Sequence, residues 1–217
     1  MKSFLAFLAA FGIYTWATSG AEKEFNFKVL LVCGYKVDCE RAGGTLGTGI
    51  EIVQKALPEV GLKVVYTLRS DKEFPGDPLS TIVQWQKETQ AIREAVGADL
   101  VVVFLEPYYR SVDYIDYRSA EILGVTSRRC ILGDKSKDGL IFVRVVGSDV
   151  VMSRLVTHEV GHALGAGHVL GGLMAPSIDL IQHTDSFLPY SIQEMHDCLN
   201  TLRKPQVSSP PLTPLPQ

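Results

Sequence analysis

His158-Glu159-Val160-Gly161-His162-Ala163-Leu164-Gly165-Ala166-Gly167-His168, followed six residues later by Met174 within Leu173-Met174-Ala175-Pro176, is the stretch from which the rest of the chain can be read. An α-helix advances about 3.6 residues per turn, so His158 and His162 project from one face, one turn apart, within reach of a single metal ion. Glu159 then lies beside the metal rather than on it, placed to act on a water in an open coordination position. Were the helix to continue, His168 would lie about 600° around the axis from His162 and face away. The helix therefore has to stop. Gly165 stands where a terminating left-handed residue is tolerated, and the chain can then turn back to bring His168 up as a third ligand.

Three neutral imidazoles at roughly 2.0–2.1 Å leave zinc a position for water, whose pKa the cation draws down to about 7. The spacing points to amide hydrolysis without a covalent intermediate: zinc polarises a peptide carbonyl, water attacks, and Glu159 takes the proton and returns it to the leaving amine. Single histidines are more often packed or hydrogen-bonded core residues. Three of the chain's five histidines within eleven residues, with the base and the glycine in place, are not explained that way.

His158 to His168 with Met174 resembles the metzincin zinc endopeptidases, which include astacins, matrix metalloproteases, adamalysins (reprolysins) and serralysins. The resemblance implies that Met174 is not a ligand but the hydrophobic base of a Met-turn beneath the metal. It also implies that Ala175 and Pro176 line the pocket for the substrate side chain just past the scissile bond.

The amino terminus carries Lys2, an apolar run from Phe4 to Ala17 and the small residues Ser19-Gly20-Ala21, which reads as a secretory signal over 1–21. No other segment reaches 18 uninterrupted apolar residues, so no membrane span is expected and the mature chain is expected to be secreted. Four cysteines fit an oxidising compartment and allow three pairings. At the other end, five prolines within 205–217 predict a polyproline-like tail, leaving 22–204 for one well-cored domain. A net charge of −3 without a basic block excludes nucleic acid and anionic membrane as obvious partners, and a monomer is expected.

Apolar, β-branched runs at 27–33, 62–68 and 99–105 read as buried strands, separated by helical spacing at 46–57 and 80–96. These βαβ units predict a parallel arrangement. Two further strands are expected at 122–126 and 140–146. The motif helix opens near Ser148-Asp149, and Ser191-Ile192-Gln193-Glu194 reads as a capping box starting a last helix through Leu202.

This α/β (α+β) order is similar to the metzincin catalytic domain. The resemblance implies a five-stranded mixed sheet, two upper helices, the active-site helix, the Met-turn and a C-terminal helix, with an upper subdomain to about 168 and a lower one at 169–204. It also implies that the fourth strand, Ile122, Leu123, Gly124, Val125 and Thr126, is an antiparallel edge that binds a protein or peptide substrate as an added strand. Among metzincins the adamalysins are most similar, because they join positions like Cys130 and Cys198 by a disulfide; Cys33 and Cys39 would then close a short loop or remain thiols. The same likeness implies a Ca2+ site around Glu24, Asp99 and Asn200. Val169 departs from the adamalysin aspartate after the third histidine, Leu-Met-Ala-Pro is closer to the matrix enzymes, and Pro176 replaces the astacin tyrosine. The loop bearing Tyr108, Tyr109, Tyr114 and Tyr117 is a candidate substrate contact. His183 and His196 lie beyond the metal motif and are read as solvent-exposed or hydrogen-bonded histidines. The functional expectation is a secreted zinc metalloendopeptidase with one catalytic Zn2+. The alternative is a catalytically silent secreted binding protein or toxin on the same scaffold, for which retention of Glu159 has no chemical reason.

Overall fold

The computed structural model describes residues 23–71, 78–105, 124–126, 130, 139–145, 148–176, 181 and 184–203. The signal segment 1–21, the tyrosine-bearing loop, Ile122, Leu123, His183 and the tail 205–217 lie outside the described residues.

β1 spans Phe25–Cys33, and every residue from Val29 onward is buried, as a strand covered on both faces requires. α1 (Cys39–Ala56) begins earlier than the apolar spacing from Leu46 indicates. Gly43, Gly44 and Gly47 dilute that spacing, whereas the start signal is the Asp38 carboxylate, which accepts from the Glu40 and Arg41 amides at 3.0 and 3.3 Å. β2 (Val60–Arg69), α2 (Pro78–Val96), β3 (Leu100–Leu105), β4 (Gly124–Thr126), β5 (Leu140–Arg144) and α3 (Asp149–Ala163) follow. The last helix, α4, is Pro189–Arg203. It starts two residues before the expected Ser191 because proline suits the first helical position, where no amide is needed; the Ile192 amide already bonds the Leu188 carbonyl at 3.1 Å.

The sheet order is β2-β1-β3-β5-β4. The pairs β1–β2, β1–β3 and β3–β5 are parallel, while β4 runs antiparallel to β5 at one edge, with Thr126 opposite Ile141. Strand alternation divides the interior in two. Val29, Leu31, Val102, Phe104, Ile141 and Val143 join Leu46, Ile50 and Val53 of α1 and Leu155, Val156 and Val160 of α3. Leu30, Val32, Val101, Val103, Leu140 and Phe142 pack with Trp85 of α2 on the other face. Burying each large apolar side chain contributes about 1.5–3 kcal/mol, so the sheet and α1 form a rigid seat for α3.

Disulfides join Cys33 to Cys39 and Cys130 to Cys198. The first closes the turn from β1 into α1; the second ties the chain after β4 to α4. Among the described residues no helix is long and apolar enough to cross a membrane.

Candidate metal centre

α3 opens at Ser148, whose hydroxyl accepts from the Val151 amide at 3.4 Å, and carries His158 and His162 one turn apart near its end. Termination follows the residue types. Leu164 closes the helix and Gly165 takes φ +110°. The Gly165 amide bonds the His162 carbonyl and the Ala166 amide bonds the Gly161 carbonyl, each at 2.9 Å, which is the paired closure of a Schellman motif. A Cβ on Gly165 would also stand 2.7 Å from the Cys198 Cβ, so α4 requires glycine there a second time. The reversed chain is then held by Glu194 of α4, whose carboxylate accepts from the Gly167 amide at 2.8 Å, and His168 follows directly.

The Nε2 atoms of the three histidines converge. They lie 3.0 Å apart for His158 and His162, 3.1 Å for His162 and His168, and 3.3 Å for His158 and His168. Tetrahedral zinc with bonds of about 2.05 Å would set its nitrogens roughly 3.3 Å apart, so the triangle is of the right size. Tautomers follow from the second ring nitrogens. His158 Nδ1 lies 2.6 Å from the Leu173 carbonyl and His162 Nδ1 lies 2.7 Å from the Ala166 carbonyl. A carbonyl only accepts, so both Nδ1 atoms carry the proton and both Nε2 atoms present lone pairs to each other, an approach that a shared cation stabilises. Burial, reinforced by His162, pulls the His158 pKa down to about 4, against the opposing Leu173 carbonyl; His168 lowers it further. His158 is therefore neutral at physiological pH, as a metal ligand must be. These three form a group able to hold one metal ion, and they fit zinc.

Glu159 is only 4% exposed, and burial pushes its pKa up to about 7, partly offset by a hydrogen bond from Thr126. The Thr126 hydroxyl meets Glu159 Oε2 and lies 2.9 Å from the Glu159 main-chain oxygen. Met174 is fully buried beneath the helix, and a Cβ on Gly161 would stand 2.6 Å from its sulfur and 3.0 Å from Phe187. Gly161 thus lets the Met174 side chain lie against α3 between the two histidine turns. Ala175 is buried beside Met174 and Pro176 is exposed. Gly124, Val125 and Thr126 form the sheet edge.

The acidic groups considered for Ca2+ are engaged otherwise. Glu24 accepts from Arg203 Nε and Nη2 at 2.7 and 2.6 Å, and Arg203 Nη1 donates to Asn200 at 2.8 Å, so a guanidinium stands between them. Asp99 accepts from the Lys28 amide at 2.8 Å. His196 Nδ1 lies 3.0 Å from Glu59. Sequence reasoning missed the Thr126–Glu159 contact, the Glu194 support, and the Leu173 and Ala166 carbonyls. For Glu194 a signal existed, but the capping-box spacing assigned its carboxylate to the wrong amide.

A family model described as Metallo-peptidase family M12B, Reprolysin-like, matches residues 46–169, from within α1 to just past His168. Among solved structures, metalloproteinase-II from Bacteroides fragilis is similar with a TM-score of 0.57 and 17% identity, covering 83% of this chain and 55% of that one. A chaperone–substrate complex is similar with a TM-score of 0.51 and 16% identity, over 69% of this chain and 25% of that one. An archaemetzincin from Methanopyrus kandleri gives a TM-score of 0.48 and 16% identity, over 81% of this chain and 96% of that one. For the first two structures, at 17% and 16% identity, the likeness is one of fold alone, and this chain spans 55% and 25% of those chains. No curated protein matches the sequence.

Proposed function

Because the chain belongs to the reprolysin-like metallopeptidases of family M12B, we propose that it is a secreted zinc endopeptidase with His158, His162 and His168 as metal ligands and Glu159 as general base. The observation that carries this reading is the convergence of the three Nε2 atoms, two of them fixed as lone-pair donors, next to a buried carboxylate. When bound there, zinc supplies a Lewis acid for a peptide carbonyl and a water acidified to a pKa of about 7. Glu159 would take the water's proton and hand it to the departing amine nitrogen.

The remaining residues have supporting roles. Met174 forms the Met-turn, a dry floor under the histidines, and Ala175 and Pro176 border the pocket for the side chain past the scissile bond. The edge of β4 at Gly124, Val125 and Thr126, unpaired among the described residues, together with Ile122 and Leu123, receives an extended, accessible segment of a protein or peptide. The catalytic domain covers 22–204, divided after about 168, with a signal at 1–21 and a tail at 205–217. Two disulfides among the described residues support export to an oxidising compartment. The reaction requires one copy of the chain, and neither nucleic acid nor membrane takes part.

The full chain, zinc-loaded, is incubated with a mixed-sequence peptide library beside Glu159→Ala and a chelator-treated sample. Cleavage is expected from the zinc-loaded chain alone, with recovery when zinc is returned to the chelated sample. Cleavage surviving both treatments overturns the mechanism, and no cleavage by the zinc-loaded chain favours a silent binding protein on this scaffold.

A further inference from the structure

Thr126 closes the edge strand, yet its side chain turns inward to the helix that bears the histidines. Its hydroxyl reaches both ends of one residue, Glu159: the carboxylate Oε2 and, at 2.9 Å, the main-chain oxygen. Among the described residues it is the hydrogen-bond partner of that buried carboxylate. A buried carboxylate with one anchoring donor among the described residues has its orientation set by that donor. The backbone of Thr126 is in turn fixed by antiparallel pairing to Ile141 of β5, a strand of the rigid sheet. One side chain therefore connects the carboxylate to the strand whose outer edge is unpaired among the described residues.

Resting on the assignment of Glu159 as base, we propose that Thr126 is its positioning residue: the hydroxyl fixes the carboxylate's orientation and couples it to the edge strand that receives the peptide. The base is then aimed by the same element that sets the register of the substrate backbone. Thr126 contributes to the reaction through Glu159 rather than by touching substrate with its side chain, and only its main chain faces the peptide.

Thr126→Val keeps shape and removes the hydroxyl; Thr126→Ser keeps the hydroxyl and removes a methyl. With the peptide best cleaved from the library as substrate, Thr126→Val is expected to lower kcat by about 10- to 100-fold, the cost of losing a hydrogen bond to a charged group, with KM within about twofold. Thr126→Ser is expected to recover kcat to within about threefold, and zinc affinity, read by competition with a chromophoric chelator, is expected to match in all three proteins. An unchanged kcat in Thr126→Val overturns the proposal, as does a loss shared equally by Thr126→Ser. Crystal structures of the zinc-free proteins give a readout independent of activity. The Glu159 carboxylate is expected to swing away from its position in Thr126→Val and hold it in Thr126→Ser, and an unmoved carboxylate in Thr126→Val overturns the proposal. Should the original chain cleave nothing, the reading of Glu159 as base fails, while the crystal structures still decide whether Thr126 sets the carboxylate's position.

Discussion

Replacing Glu159 by glutamine perturbs the electrostatics of the site while keeping its shape. In the zinc-free protein burial raises the Glu159 pKa from 4.5 to about 7 and lowers that of His158 from 6.5 to about 4. Between about pH 4.5 and 7 the folded chain keeps a proton on Glu159 that the unfolded chain has released, so this group's contribution is fully present below 4.5 and is lost as pH rises to 7. His158 has the opposite sign: between about pH 6.5 and 4 the unfolded chain takes up a proton that the folded chain refuses, so its contribution is present above 6.5 and is lost as pH falls to 4. Each slope is about 1.4 kcal/mol per pH unit, and the two oppose each other across most of the same range. Glu159→Gln removes one of them. The stability of the variant relative to the original chain should therefore rise by about 3 kcal/mol between pH 4.5 and 7. Urea unfolding followed by far-UV circular dichroism, on chelator-treated proteins at several pH values, gives this difference directly, and taking it between two proteins cancels every other titrating group. A difference that stays level across that range, or that falls with pH, refutes the account of Glu159 as a carboxyl held neutral by burial. With zinc bound the difference should shrink, because a cation beside the carboxylate favours its charged form.

Three further outcomes follow from the architecture around the site. Gly165→Ala should destabilise the chain by about 2–4 kcal/mol in urea unfolding, since it meets both the left-handed backbone and the Cys198 Cβ at 2.7 Å; a loss under about 1 kcal/mol would contradict the close packing of α4 on this turn. Glu194→Ala should weaken zinc binding about 10-fold in chelator competition, because the Gly167 amide that precedes His168 loses its acceptor; unaltered affinity would show that the third ligand does not depend on α4. Replacing both Cys130 and Cys198 by serine should cost about 4 kcal/mol and replacing Cys33 and Cys39 about 2, as loop closure over separations of 68 and 6 residues requires; equal losses would reject the loop-entropy explanation.

What could be read in advance is what spacing and period encode. The runs at 27–33, 62–68 and 99–105 fall on β1, β2 and β3; β1 from Val29 and β3 are buried on both faces, whereas β2, at the sheet edge, admits Lys63 and Thr67 and leaves Tyr66 exposed. The positions of His158 and His162 and the stop at Gly165 follow from helix geometry alone. The order of strands in the sheet, by contrast, depends on crossovers between segments far apart in the chain, which no local pattern records. The start of α1 was obscured because three glycines break its periodicity, although Asp38 marked it. The beginning of α4 was displaced because Ser191 and Glu194 match a capping box, while Pro189 fixes the helix two residues earlier and releases Glu194 for the Gly167 amide.

The supports of the site share one reason for being illegible. Leu173 and Ala166 act through carbonyl oxygens, which every residue possesses, so no residue type announces them. Thr126 and Glu194 act across 33 and 27 residues, on elements placed by the sheet and by α4. Ligand identity is therefore local and ligand geometry is not: α3 presents two imidazoles unaided, but the third arrives only because α4 accommodates Gly165 and holds Gly167. Zinc binding should accordingly be coupled to the docking of α4, so that metal protects the amides of α4 from hydrogen exchange as strongly as those of α3. Protection confined to α3 would mean that His168 reaches the metal from a chain that does not need its support.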